Sequence, residues 1–399
     1  MFFLFSGAVW GNGQSTHCWI SEQARSFIVE PQLAAFMNDS EFELFWRNGS
    51  MFPDGGYPID DPYAEIAHWE PFQKSYLLWI KESYDPPYET EALQHIAFLM
   101  GLASHGMADQ TFDSMYMSRA KVYDVESDWT RSMDEATDVA FIAQTHPQPV
   151  PDIWIPGLLF EDIYTSEFEH IVSVDTMEQG QTLLQVAILY VGGASENPEL
   201  LVSAQEAFPW ATSHLLNESI SGSPPVEAEI VALYWEHLWR ELHEEDWRNP
   251  SVLSFFAGTS GYIDTLDAQS PESKLSLVFS TGLSGALFEQ DLFAIYDSQG
   301  RTIRFSADLF YGSDSHVVNL HPLEDWVLGE YTLKISSDLT FRNGLKLGEY
   351  DSLSFSVVDE IPLKDQDENE ELIDEGCRGG KGLILSILIF GWRRKKAKS

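Results

Sequence analysis

The chain has 399 residues, long for one domain and suited to two or three at roughly 100–200 residues each. Hydrophobic residues make up 44% and charged residues 22%, the balance of a folded and not a disordered chain. With 23 Lys and Arg against 63 Asp and Glu the formal net charge is −40, which repels phosphate backbones and argues against nucleic acid as a partner.

In chain order, residues 1–14 open on an apolar run, Met1 to Trp10, followed by small residues. This reads as the end of a secretory signal, the alternative being a buried N-terminal strand. From residue 21 to about 247 the pattern is helical. Leu93, Ile96, Ala97, Met100 and Ala103 space out the buried face of one helix, and Ile230, Leu233, Tyr234, Leu238 and Leu242 that of another. Pro and Gly clusters at 53–56, 147–156 and 221–225 mark loops. After Trp247 the texture changes to alternation, at 274–280, 331–335 and 351–357, with a hairpin turn at Asp297-Ser-Gln-Gly300. Short strands so closely spaced predict a small β-sandwich over 268–359, and Ser336–Leu347 with Ser354-Phe-Ser-Val357 resembles the closing strands of bacterial Ig-like modules. This part shows no catalytic constellation and reads as a spacer or adhesion module. An acidic linker (360–376) leads to a tail (377–399) in which Cys377, a short apolar run and Arg393-Arg-Lys-Lys396 follow in order. Basic residues after an apolar segment hold that end in the cytoplasm. The order resembles the C-terminal sorting signals of surface-anchored bacterial proteins, the myxobacterial type in particular. It implies a secreted or cell-surface protein that meets the membrane through its tail. Cys18 and Cys377 stand far apart, so no disulfide framework exists.

The potential metal ligands gather in the helical part. His17 follows Ser15-Thr16, Asp54 stands in Phe-Pro-Asp-Gly-Gly, and His68 precedes Trp69-Glu-Pro-Phe72. His105, Asp109 and Asp113 are spaced four apart, which puts all three on one helix face. Asp134 and Asp138 repeat that spacing. Imidazoles and carboxylates so arranged suit zinc. Singly, each is as well explained as a core histidine, a cap or a surface pair. Trp69, Phe72 and Phe112 read as core, with a lipid slot as the alternative, and Cys18 beside His17 reads as a small buried thiol and not a nucleophile.

The order His17, Phe52-Pro-Asp54, His68-Trp69, His105-x-x-x-Asp109 resembles the zinc-dependent phospholipase C/D family, of the glycosylphosphatidylinositol-specific phospholipase D type. The resemblance runs from residue 15 to about 138. It implies a multidomain chain: an all-α catalytic domain of the zinc phospholipase C-like helical fold over 15–255, then the Ig-like β-sandwich. It implies that His17, Asp54, His68, His105 and Asp109 hold two or three Zn²⁺ ions. Asp113 and Asp134 depart from the family pattern, standing where it has histidines, with Asp138 at the acid that follows. All three can still bind metal and open the site to Mn²⁺ or Mg²⁺. The implied activity is hydrolysis of phospholipid-type phosphodiesters by a metal-activated water, with Asp54 as general base or as a ligand only. The alternative is a catalytically degenerate, metal-stabilised surface binding or adhesion protein, which the two missing histidines favour.

Overall fold

The structure, a computed structural model, describes residues 13–124, 127, 132–243, 249–257, 262–264, 274–312, 314–348 and 352–358. Most of the 1–14 segment, the 360–376 linker and the 377–399 tail lie outside the described residues. The chain divides into a compact unit, Met1–Ile361, and a second unit, Pro362–Ser399. Among the described residues no helix is long and apolar enough to cross a membrane.

The first part of the larger unit is helical, organised around the helix Thr90–Thr111. Every residue from Ile96 to Thr111 on it is buried, because apart from His105, Asp109 and Gln110 its sequence is apolar or small and can be covered on all faces. The helix Glu43–Met51 crosses it at close range. A Cβ on Gly49 would lie 2.1 Å from the Phe98 carbonyl oxygen, and one on Gly101 2.0 Å from that of Trp46. Only glycine lets the two backbones approach so closely. In the same crossing Ser21, Ser50 and Ser104 share hydroxyl hydrogen bonds of 2.7 and 2.8 Å. The helix Pro224–His243 covers another face, where Trp235 donates its indole N–H to the Met100 carbonyl at 2.6 Å. The expected loop at 53–56 is instead the start of a 3-10 segment, Pro53–Ile59. Proline suits a first helical position, where its missing N–H costs nothing, and Asp60 ends the segment at a positive φ of 55°.

The remainder is a pair of sheets. Strands β1 (Val252–Ala257), β3 (Leu275–Phe279), β6 (Phe305–Leu309) and β7 (Val317–Pro322) form one, in the order β1-β3-β7-β6. The other, in the order β2-β9-β8-β4-β5, takes β2 (Tyr262–Asp264), β4 (Phe293–Asp297), β5 (Thr302–Ile303), β8 (Gly329–Ile335) and β9 (Leu353–Val358). All pairs are antiparallel except β2 with β9. The expected hairpin turn stands between β4 and β5, with Gly300 at φ 77°. The sheets start earlier than the expected 268: β1 begins at Val252, inside the stretch assigned to the helical part, and β2 follows it.

Period-two alternation explains how the sandwich joins the helices. Leu275, Leu277 and Phe279 on β3, with Val318 and Leu320 on β7, face the core between the sheets. Their neighbours of opposite parity, Val278 and Val317, belong to the helical core. One sheet is therefore covered on both faces, and the sandwich is built onto the helical part.

Candidate metal centre

Five of the expected ligands meet at one point. His105 and Asp109 stand one turn apart on Thr90–Thr111, and His17 lies on the helix Gln14–Ala24. Asp54 sits in the first turn of the 3-10 segment, and His68 ends the helix Tyr63–His68. All five side chains are buried.

His17 Nε2 lies 3.2 Å from Asp109 Oδ1, and its ring stacks on that of His105 at 3.7 Å between centroids. His68 Nε2 is 3.4 Å from both Asp54 Oδ1 and Asp109 Oδ2. His105 Nε2 is 3.5 Å from Asp54 Oδ1 and 3.3 Å from Asp109 Oδ2. The two nitrogens, His68 Nε2 and His105 Nε2, are 3.0 Å apart.

The outer nitrogens settle how those rings are protonated. His105 Nδ1 lies 2.8 Å from the Ser50 carbonyl oxygen and His68 Nδ1 2.6 Å from that of Ala64. A carbonyl cannot donate, so each Nδ1 carries a proton and, in the neutral ring, each Nε2 carries a lone pair. Two lone pairs facing each other at this range, between two carboxylates, repel, and a proton or a metal ion between or beside them would relieve that repulsion. This is the arrangement that orients a metal-binding imidazole. Two nitrogens about 2.0–2.1 Å from one tetrahedral zinc would stand only slightly further apart than these two.

Electrostatics point the same way. Burial favours neutral His105, but Asp54 and Asp109 outweigh it and raise its pKa to about 10. In the absence of metal a proton is the cation the site takes. Burial lowers His17 below its ordinary value, helped by the charge of His105. Burial opposes ionisation of Asp54 and Asp109, yet the neighbouring histidines hold both below the ordinary carboxylate range.

The other three carboxylates are buried nearby and short of positive charge. Asp113, on the π-helical continuation Phe112–Met117, is pushed up to about 8 by burial and then by the charge of Asp109. Asp134, on the helix Met133–Thr145, is held well above the ordinary range by burial and by Asp113, Asp109, Asp54 and Asp138. Asp138 reaches about 7 through burial, against hydrogen bonds from the Ser15 and Thr16 side. Its carboxylate accepts from Ser15 N at 3.2 Å and from Thr16 Oγ1 at 3.2 Å, so it caps the helix that carries His17. Asp113 Oδ1, Asp134 Oδ1 and His17 Nδ1 are buried without a hydrogen-bond partner, and His17 Nε2 has Asp109 Oδ1 beside it at 3.2 Å. Unpartnered buried oxygens and nitrogens around five carboxylates fit divalent cations. The tight triads are His17–Asp54–His105 and His68–His105–Asp109, whose ligand atoms lie within 4.8 Å of one another. Asp113, Asp134 and Asp138 stand outside them.

Of the aromatic candidates, Phe72 and Phe112 are fully buried in the core. Trp69 is half-buried; Glu65 accepts from its indole at 2.9 Å and from the Tyr57 hydroxyl at 3.3 Å. The Cys18 sulfur donates to the Arg47 carbonyl at 3.6 Å and burial pushes its thiol up to about 11, which leaves it inert. The residue that sequence reasoning missed is Tyr311, between β6 and β7, whose hydroxyl donates to Asp113 Oδ2 and whose ring meets Trp69 at 4.7 Å. An aromatic ahead of Gly312 is a common loop tip, and nothing in the sequence ties it to the distant ligands.

No protein-family model matches the chain. Over 113 residues, 26% of the chain and 13% of the relative, it is 31% identical to phosphatidylinositol-glycan-specific phospholipase D of Rattus norvegicus. The Dictyostelium discoideum protein of that name is 30% identical over 110 residues, 26% of the chain and 11% of the relative. With the Homo sapiens protein the identity is 24% over 226 residues, 49% of the chain and 26% of the relative. The chain thus spans between about a tenth and a quarter of the length of these curated relatives. Two solved structures of the surface-layer protein SbsC cover 88% of the chain at 12% and 11% identity with a TM-score of 0.23, too slight a likeness to carry an argument.

Proposed function

We propose that the chain is a metal-dependent phosphodiesterase of the phospholipase type, holding two or three divalent cations, zinc foremost. The observation that carries this reading is the His68–His105 pair: two imidazoles with outer nitrogens tied to carbonyls and inner nitrogens facing each other between Asp54 and Asp109. The similarity to the phosphatidylinositol-glycan-specific phospholipases D supports it and names the substrate class, a phospholipid-type phosphodiester.

His17, His68, His105, Asp54 and Asp109 would hold the cations, with Asp113 and Asp134 as further oxygen donors open to Mn²⁺ or Mg²⁺. Bound divalent cations supply water of lowered pKa and neutralise charge on a phosphoryl oxygen. Asp54, kept ionised beside both histidines, would serve as a ligand, and a carboxylate of such low basicity takes a proton from water poorly, which favours the ligand-only role over that of general base. Ser50 and Ala64, through their carbonyls, fix the tautomers that keep His105 and His68 in place. Trp69 and Tyr311, whose rings meet at 4.7 Å and are each only partly buried, would offer apolar surface to the lipid side of a substrate. The β part we read as an Ig-like module. The acidic surface and the tail's sorting pattern support a secreted or cell-surface setting.

The burial of every ligand favours a second reading, a metal-stabilised surface binding protein without turnover. Metal analysis of the full-length chain, paired with an assay on nitrophenyl phosphocholine, separates the two. Stoichiometric divalent metal with hydrolysis is expected. Metal without hydrolysis of any phospholipid-type diester supports the second reading, and a chain without stoichiometric metal overturns both.

A further inference from the structure

We infer that the β-sandwich is a working part of the metal centre, with Tyr311 as the positioning residue for Asp113. The inference rests on the metal reading above and adds to it a residue from the part of the chain that carries no ligand.

Several polar contacts between sandwich and helices fall on the ligand-bearing segment itself, while others reach the helix Pro224–His243, where the Tyr234 and His316 rings meet at 5.1 Å. Asp109 and Asp113 are each followed by a residue that the sandwich grips. Gln110 Oε1 accepts from His316 N at 2.8 Å and from Ser315 Oγ at 3.4 Å. The Ser114 carbonyl accepts from the Lys274 ammonium. Two residues after His68, Glu70 Oε2 accepts from Gly282 N at 2.8 Å. All of these partners are buried, and buried polar contacts fix a docking geometry more narrowly than apolar ones do, because leaving any of them unmade is costly.

Within that frame Tyr311 gives its hydroxyl to Asp113 Oδ2, while Asp113 Oδ1 is buried and unpartnered. One oxygen is thus anchored and the other left for a cation. A carboxylate so divided behaves as a ligand oriented by an outer hydrogen bond. The segment needs such an anchor, since Asp113 lies on a π-helical turn, where the backbone departs from the regular helix that carries His105 and Asp109. The Tyr311 ring is itself held by Phe310 at 4.5 Å and by Trp69 at 4.7 Å between centroids.

Tyr311→Phe in the full-length chain keeps the ring and removes the hydroxyl. Chelator competition with Zn²⁺ and with Mn²⁺, read beside elemental analysis, should show the weakest-held ion bound about 10–100-fold less tightly, the usual effect of losing an outer-sphere partner. The other ions should keep their affinity. Asp113→Asn should lose the same ion, and adding Tyr311→Phe to it should change nothing further. That double variant also supplies the comparison if Tyr311→Phe alone does not fold. Wild-type affinities in Tyr311→Phe, or a further loss in the double variant, would overturn the inference while leaving the metal centre standing. A wild-type chain that binds neither ion would overturn the metal reading and this inference together.

Discussion

A Cβ on Gly106 would lie 2.1 Å from the carbonyl oxygen of His68. The residue after His105 is thereby pressed against the backbone of the histidine that faces it, and the 3.0 Å approach of the two rings depends on that contact. The neighbour is backbone and cannot rotate away. Gly106→Ala should destabilise the fold by about 1–3 kcal/mol, the usual range for overpacking, and should lower metal content by moving His68. Thermal melting and elemental analysis check this; a variant that melts and loads metal like the wild type would show the contact to be slack.

Removing a ligand should be harsher. His105→Ala and Asp109→Ala should each bring hydrolysis of nitrophenyl phosphocholine to the uncatalysed level, since each contributes to the tight His68–His105–Asp109 triad. Turnover like that of the wild type in either variant would mean that this helix face is structural.

The carboxylates that depart from the family pattern predict metal preference. If Asp113 and Asp134 are ligands, converting both to histidine should retain metal and move selectivity from manganese towards zinc, because imidazole is the softer donor. Competition between the two ions measures the shift. Unchanged content and selectivity would assign both residues to burial alone.

Metal-free stability should fall as pH rises from about 4 to about 8. Asp113 at about 8, Asp138 at about 7 and Asp134 well above its ordinary value keep their protons in the fold, while the unfolded chain releases them near 3.9. Between those limits the folded state binds more protons, so raising the pH costs stability. Asp54 and Asp109, held below the ordinary range, act in the opposite sense as the pH falls below about 4. His17, lowered by burial like His95, His237 and His316, opposes the decline below about 6.5, whereas His105, raised to about 10, adds to it above that value, so the fall is steepest between about 6.5 and 8. Melting of chelator-treated protein across this interval should show the decline, Asp113→Asn should flatten part of it, and saturating Zn²⁺ should remove most of it. An apo melting temperature that climbs over the same interval would contradict the charge balance of the site.

Much of the site was legible in the sequence because helical spacing is a local property. His105 and Asp109 share a face by virtue of 3.6 residues per turn, and the apolar run around them announced a buried helix. The strands at 274–280, 331–335 and 351–357 were legible for the same reason, with period two in place of 3.6. Pro-Asp-Gly-Gly at 53–56 suits a loop and a 3-10 start equally in sequence, and packing decides between them.

Whatever joins distant segments was decided by the tertiary structure. No spacing shows that the His68 and His105 rings meet, that Asp138 spends its carboxylate on the helix start at Ser15, or that Tyr311 crosses from the sandwich to Asp113. Composition fixed a large acidic surplus, but only folding determined which aspartates are buried together. Burial makes a carboxylate costly to ionise without a partner. That cost makes a scattered set of aspartates and histidines into one cluster of coupled charges.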